Sequence, residues 1–416
     1  MYTNDELLAA RQSLLGAGYR LFYEEPLRPV RGEGVWLFDE QGRRYLDAYN
    51  NVASVGHCHP RVVQAIAAQA ATLNTHTRYL HEAIVDYAAD LLSYFPPQLA
   101  NLTLTCSGSE ANDLALRMAR LLTGGRTAIV TRWAYHGVTS AIASLSPSLG
   151  AGVGDDIRLI DAPDSQRPGA WLDSLRAVLD SLHAAGERPA ALLMDTIFAS
   201  DGVQSPLPGE MREAAQLIRD AGGLFIADEV QAGFGRTGTA FWGFARHQVV
   251  PDLVTLGKPM GNGHPVAGVV GRPALFNAFG ASQRYFNTFG GNPVSCRAAH
   301  AVLNVLRDEK LPENAQREGE WLREALRRLS RRWPVIGEVR GAGLFIGVDI
   351  LAGPDSASPA PTLAAAIVNR MRERGVLISA TGPQASTLKI RPPLVFAREH
   401  GELFLDTLTQ VLETVS

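Results

Sequence analysis

Lysine is nearly absent from this chain. Of its 39 basic residues lysine stands only at 258, 310 and 389, and the other 36 are arginines. Lys258 falls in TLGKPMGNGHPVAG (255–268), a turn-rich run of glycines and prolines. Arginine stays protonated in proteins, whereas burial readily shifts the pKa of lysine and frees its amine as a nucleophile or base. Two further groups invite chemistry. Cys106-Ser107-Gly108-Ser109-Glu110 links the apolar run NLTLTC to a helical pattern, and small residues with free amides at a helix start make a phosphate site. Asp228-Glu229 closes the run LFIAD, where a carboxylate can face a cationic ring nitrogen, hold a metal, or merely begin a turn.

The elements that must position these groups follow from periodicity. NLTLTC (101–106), TAIVTR (127–132), IRLID (157–161), ALLMD (191–195), LFIAD (224–228) and LVTLG (253–257) read as strands. Between them lie helical patterns such as SGSEANDLALRMARLLTG, WLDSLRAVLDSLHAAG and EMREAAQLIRDAGG. Such alternation predicts an α/β domain on a mostly parallel sheet, and ligands of these sheets bind at the carboxyl ends of the strands. Ser109, Asp228 and Lys258 all fall there. A phosphate cradle, a carboxylate and a nucleophilic lysine together describe a pyridoxal-phosphate site. The lysine makes the Schiff base, and the acid keeps the pyridine nitrogen protonated as an electron sink. Gly233-Phe234-Gly235-Arg236-Thr237-Gly238 also matches the GxGxxG dinucleotide fingerprint. Its context is wrong for that use: Asp228 and Glu229 precede it, no good helix start follows, and Lys258 stands where a ribose-binding acid belongs.

After about residue 305 the pattern turns to a charged helix, ENAQREGEWLREALRRLSRR, and then to short strands and helices. This predicts three parts: an N-terminal segment over 1–55 packing with the small domain, a large domain over 56–305 and a smaller C-terminal domain over 306–416. LAGPDSASPAPT (351–362) reads as a surface loop. With 46% hydrophobic and 19% charged residues over 416 positions the chain can bury a large core. A net charge of −3 without a long basic run argues against nucleic acid or an anionic membrane as partner. No apolar run reaches the ~18 residues of a spanning helix, and the polar start MYTNDELLAARQ is not that of a signal peptide. Scattered Cys58, Cys106 and Cys296 lack metal-ligand spacing and fit a reducing cytoplasm.

SGSEAND (107–113), YHG (135–137), DEVQAGFGRTG (228–238), GKPMGNGHP (257–265) and NTFGGNP (287–293), in this order, resemble the class III aminotransferases. The resemblance spans essentially the whole chain and implies a pyridoxal 5′-phosphate enzyme of fold type I. In that family pattern Lys258 would carry the cofactor and act as proton-transfer base, Asp228 would pair with the ring nitrogen, and Gln231 would approach the ring hydroxyl. Tyr135 and Val230 would hold the two ring faces. Gly108 and Ser109 would bind the phosphate, helped by Thr288 of a second subunit, which implies a homodimer with a shared site. His57 and His59 read as structural residues, and Lys310 as a solvated charge.

Departures from the family pattern bear on the substrate. Val138 stands where relatives acting on ω-amino acids carry an arginine for the distal carboxylate. The run Asp195–Gly202 lacks the second glutamate of an EPIQGEGG-like motif, leaving Ser200 in its place. YLDAYNNVASVGHCHP (45–60), LNTHTRYLHEAIVDYA (73–88) and GKPMGNGHP resemble the phospho-lyase branch, whose members act on phosphoethanolamine or phosphohydroxylysine. Arg391 would then bind substrate phosphate, with Tyr19, Arg78 and Lys389 as further candidates by position in the pattern. The expectation is therefore elimination of phosphate from a small phosphorylated amine, with phosphoethanolamine first. The alternatives are an aminotransferase using pyruvate or glyoxylate, and a cofactor-binding paralogue without turnover.

Overall fold

The computed structural model describes residues 2–150, 152–353 and 356–415. At its centre seven strands form one sheet, in the spatial order Asn101–Thr105, Ala267–Gly271, Leu253–Leu256, Leu224–Asp228, Pro189–Asp195, Thr127–Thr131 and Ile157–Ile160. The last five pair in parallel, and Ala267–Gly271 runs antiparallel to both of its neighbours. All six apolar runs expected as strands are present. They read as continuous rather than alternating hydrophobics because helices cover both faces. Leu192, Phe225 and Val254 pack into one apolar cluster, while their chain neighbours Leu193, Ile226 and Leu253 enter another.

The seventh strand, Ala267–Gly271, was hidden in the sequence. AGVVG is short and carries glycine at both ends of its apolar core, so intrinsic strand preference is weak. Its place in the sheet requires that composition: a Cβ on Gly268 would stand 2.9 Å from the carbonyl oxygen of Thr103.

Parallel register aligns the chemistry. Asp195 is opposite Asp228, and Asp228 is opposite Thr255, across three neighbouring strands at their carboxyl ends. The helix Gly108–Thr123 starts at the same edge, capped reciprocally by Ser107 and Glu110 and closed by Gly124 in the left-handed region. Both sequence signatures of a helix boundary are therefore realised here.

Strands Pro29–Glu33, Trp36–Asp39 and Arg44–Asp47 form a meander, and Val376–Leu377 adds to it in parallel. Ile336–Ala342, Phe345–Gly353, Thr387–Ile390 and Ser379–Thr381 form a separate antiparallel sheet. The loop expected over 351–362 is instead largely a hairpin: Ser356–Pro359 pairs back onto the end of the Phe345–Gly353 strand. Serine and proline suit such an edge strand, where a missing amide is tolerated. Pro354 and Asp355 of that run lie outside the described residues. Among the described residues no helix is long and apolar enough to cross a membrane.

The GxGxxG-like run forms turns, with only the short helix Gly243–Arg246 beyond it. Its glycines serve a close approach of chain segments. A Cβ on Gly235 would stand 2.5 Å from Pro312, and one on Gly238 2.6 Å from the Gln316 Cα, both on the helix Leu311–Ser330.

Candidate active site

A cavity of about 290 Å³ opens at the carboxyl edge of the sheet, lined among others by Gly108, Ser109, Tyr135, Asp228, Val230 and Lys258. Two sequence motifs far apart in the chain meet at its floor. A Cβ on Gly257 would lie 3.3 Å from both N and Cα of Gly108, so the lysine loop rests directly on the helix start. That loop is braced from the N-terminal segment. Ser54 Oγ donates to the Pro259 carbonyl (3.2 Å), and Asn262 Oδ1 accepts from the Val55 amide (3.0 Å).

Lys258 begins a short 3₁₀ turn after the strand Leu253–Leu256. Its Nζ lies 5.9 Å from the Tyr135 ring centre. Burial pushes its pKa down, and the Arg391 charge adds to this while Asp228 and Asp195 oppose it. The result is an amine closer to its nucleophilic form than a solvated lysine is.

Asp228 is held from three sides. Its Oδ2 accepts from His136 Nδ1 (2.7 Å) and Asn112 Nδ2 (3.0 Å), and its Oδ1 accepts from the Val230 amide (3.0 Å). Asn112 is oriented in turn by the Thr255 hydroxyl, which donates to its Oδ1 at 2.7 Å. Hydrogen bonds to a carboxylate are worth roughly 1.5–3 kcal/mol each, so this set fixes the direction in which the carboxylate points. Glu229 turns away from the cavity. It accepts from the Gly243 and Phe244 amides and the Thr196 hydroxyl, and burial lifts its pKa to about 7. The acidic pair thus divides into one site residue and one buried structural residue.

His136 and Asn112 received no role in the sequence reading, although both fall inside quoted motifs. The available signal was Asn112, a polar residue on the buried face of an amphipathic helix, which needs partners there. Asp195 was also passed over. It lines the cavity, accepts from the Ile197 and Ala199 amides, and has its pKa raised by burial and by Asp228.

A second cavity of about 390 Å³ shares Tyr135, Gln231 and Lys258 with the first and extends to Ser200, Lys389 and Arg391. Arg391 is buried and donates through Nη1 to Gln231 Oε1 at 2.7 Å. Its guanidinium lies 5.1 Å from the Tyr49 ring centre and 5.6 Å from that of Phe345. Its Nε is buried without a hydrogen-bond partner. Among the described residues no carboxylate ion-pairs with Arg391, and none lines this second cavity.

Other expected site residues are not brought together within one chain. Tyr19 is exposed, its carbonyl accepting from Arg11. Arg78 is exposed and stacks on Phe286 at 3.9 Å. Thr288 is exposed and lines neither cavity. His57 and His59 bond to Asp47 and Glu309, in keeping with structural roles.

This arrangement defines an enzyme of pyridoxal-phosphate fold type I, and the comparisons agree. The family model of class-III aminotransferases matches residues 23–412, and the chain belongs to that family. A phospholyase from Arthrobacter, solved in complex with phosphoethanolamine, superposes with a TM-score of 0.95 at 45% identity, covering 98% of this chain and 99% of that one. The ethanolamine-phosphate phospho-lyase homolog 1 of Caenorhabditis elegans is 38% identical over 99% of this chain and 94% of its own length. The alanine–glyoxylate aminotransferase 2-like protein of Drosophila melanogaster is 40% identical over 98% and 88%. The cofactor is pyridoxal 5′-phosphate. The residues present fit it. Gly108 and Gly137 leave no room for side chains of their own beside Val230 and Ser109, so the first-turn amides stay open to a phosphate. Ser109 Oγ accepts from the Val138 amide (3.1 Å), which leaves its proton for the ligand. Lys258 and Asp228, which line the same cavity, would supply the amine and the anion.

Proposed function

We propose that this enzyme is a phospho-lyase that converts phosphoethanolamine and water to acetaldehyde, ammonia and inorganic phosphate. One observation carries the reading. The second cavity is walled by Lys258, Lys389 and Arg391 without an acidic side chain among the described residues, and it is lined by Ser200, which the family pattern matches to a neutralising glutamate. Such a pocket suits a doubly charged phosphate, and the arginine fork matches phosphate oxygens.

Bound pyridoxal 5′-phosphate supplies a carbonyl for the substrate amine and a ring that withdraws electrons from the adjacent carbon. This chain's residues do the rest. Asp228, fixed by His136 and Asn112, would pair with the ring nitrogen. Lys258 takes a proton from the amine-bearing carbon, and its lowered pKa favours the free base needed for that step. Arg391, itself buried, holds the phosphate and stabilises its charge. Gln231 fixes Arg391 without cancelling its charge.

We further propose a homodimer with shared sites, in the cytoplasm, where free Cys58, Cys106 and Cys296 stay reduced. Tyr79, Leu80, Phe286 and Phe289 leave large apolar side chains exposed around Arg78 and Thr288, and a patch of this kind marks an interface. Arg78 and Thr288 would then serve the site of the neighbouring subunit. A second reading, an aminotransferase using pyruvate or glyoxylate, draws support from the similarity to the aminotransferase 2-like protein. Product stoichiometry separates the two. Acetaldehyde, ammonia and phosphate in equal amounts, with no keto acid added, is the expected result. Conversion that strictly requires a keto acid and releases no phosphate supports the second reading instead.

A further inference from the structure

Two of the three lysines in this arginine-rich chain line one cavity. Lys258 already has its task. Lys389 lies on the strand Thr387–Ile390, paired on both sides by Phe345–Gly353 and Ser379–Thr381. Arg391 follows one residue past the end of that strand, and both Lys389 and Arg391 line the cavity. Lys389 Nζ donates to Thr381 Oγ1 at 3.4 Å, a long contact that leaves its other hydrogens for a ligand.

Elimination breaks the carbon–oxygen bond, so the whole phosphate departs with the bonding electrons. A phosphate monoester is mostly a dianion at neutral pH, its second ionisation lying near ~6. Without a proton it would leave as the trianion, a strongly basic and therefore poor leaving group. Arg391 can stabilise charge but cannot give up a proton, because guanidinium is not deprotonated in proteins. An ammonium can.

We propose that Lys389 is a catalytic acid, which protonates the phosphate oxygen as the carbon–oxygen bond breaks. This rests on the lyase reading above and adds a group to it. Lys258 accepts the proton from carbon, the bonding electrons leave with oxygen, and Lys389 delivers a proton to that oxygen. The products are monohydrogen phosphate and an enamine that water converts to acetaldehyde and ammonia. Burial, then Arg391 and more weakly Lys258, lower the pKa of Lys389 well below its ordinary value, while Asp195 works against them. A dianionic phosphate arriving beside it favours its protonated form, and departure of the proton relieves the crowding of cations. The Tyr135 hydroxyl in the same cavity is a weaker donor, since burial and Asp228 raise its pKa.

The test uses the holoenzyme and its Lys389→Arg variant, which keeps charge and hydrogen bonding but cannot release a proton. General acid catalysis contributes roughly 10²–10⁴-fold, so kcat on phosphoethanolamine should fall at least about 100-fold on that scale. Inhibition by inorganic phosphate should stay within a few-fold of wild type. Turnover of ethanolamine O-sulfate, whose sulfate leaves without needing a proton, should be affected far less. Lys389→Gln should show the same loss of kcat on the phosphate ester. If Lys389→Arg keeps a third or more of wild-type kcat, or loses phosphate affinity with kcat unchanged, Lys389 is only a binding group and the proposal fails. An equal loss on both esters overturns it too. A wild-type enzyme that releases no phosphate defeats the lyase reading itself, which is a different result from an active Lys389→Arg enzyme.

Discussion

Gly137→Ala tests whether the cofactor cradle is as tight as its geometry implies. Gly137 has φ of +138°, and a Cβ there would stand 2.4 Å from Ser109 Oγ and 2.7 Å from Ser109 Cα. The hydroxyl can rotate away, but the Cα belongs to the first turn of the helix and cannot. A backbone conformation that side chains rarely adopt costs about 1–3 kcal/mol, and overpacking costs a further ~1–3 kcal/mol. Relief requires moving residues 135–138 off the helix start, which breaks the bond from the Val138 amide to Ser109 Oγ and displaces Tyr135. If only about 2 kcal/mol acts on the cofactor-binding arrangement, the Kd for pyridoxal 5′-phosphate rises about 30-fold, at ~1.4 kcal/mol per factor of ten. Gly124→Ala is the control. Gly124 ends the same helix at φ +69°, and its Cβ would meet nothing within 4 Å. It carries backbone strain without overlap, a helix length away from the cradle. Absorbance titration of the apo-proteins with cofactor, alongside thermal unfolding, should show destabilisation in both variants but weakened binding only in Gly137→Ala. Cofactor affinity within threefold of wild type in Gly137→Ala, or equal weakening in Gly124→Ala, would refute the reasoning.

Asp201 is buried, accepts from the Thr131 hydroxyl at 2.9 Å, and has its pKa raised by burial from 3.8 to about 7. Its folded-state value exceeds the unfolded one, so the stability it contributes is complete below about pH 4 and is lost as pH climbs through about 7. Urea midpoints measured from ~pH 5 to ~pH 8 should fall more steeply for wild type than for Asp201→Asn, and parallel slopes would show that Asp201 does not titrate there. The proposed sharing of sites between subunits is checked by mixing chains. Thr288→Ala and Lys258→Ala homodimers should each be impaired, whereas their hybrid retains one site with both residues intact. Activity that does not rise on mixing, under conditions where subunits exchange, would rule out Thr288 acting across the interface.

Much of the site was legible because its parts are local. Ser107-Gly108-Ser109, Asp228 and Lys258 each end or follow an apolar strand, and strands buried on both faces announce themselves as unbroken hydrophobic runs. Parallel order then brings such strand ends to one edge whatever the details of packing, which is why three short motifs converge on one cavity. The strand Ala267–Gly271 escaped notice because close backbone approach demands glycine there and erases the usual pattern. His136 and Asn112 stood inside readable motifs, but only folding shows both converging on the same carboxylate oxygen. The cation-lined cavity depended most on tertiary structure. Lys389 lies on a strand of a separate sheet and Arg391 just past its end, Ser200 on a turn nearly two hundred residues earlier, and Tyr19 and Arg78 looked equally eligible in one dimension. Periodicity records which face of an element is buried; which charge faces which is settled where the C-terminal sheet packs on the carboxyl edge of the large one.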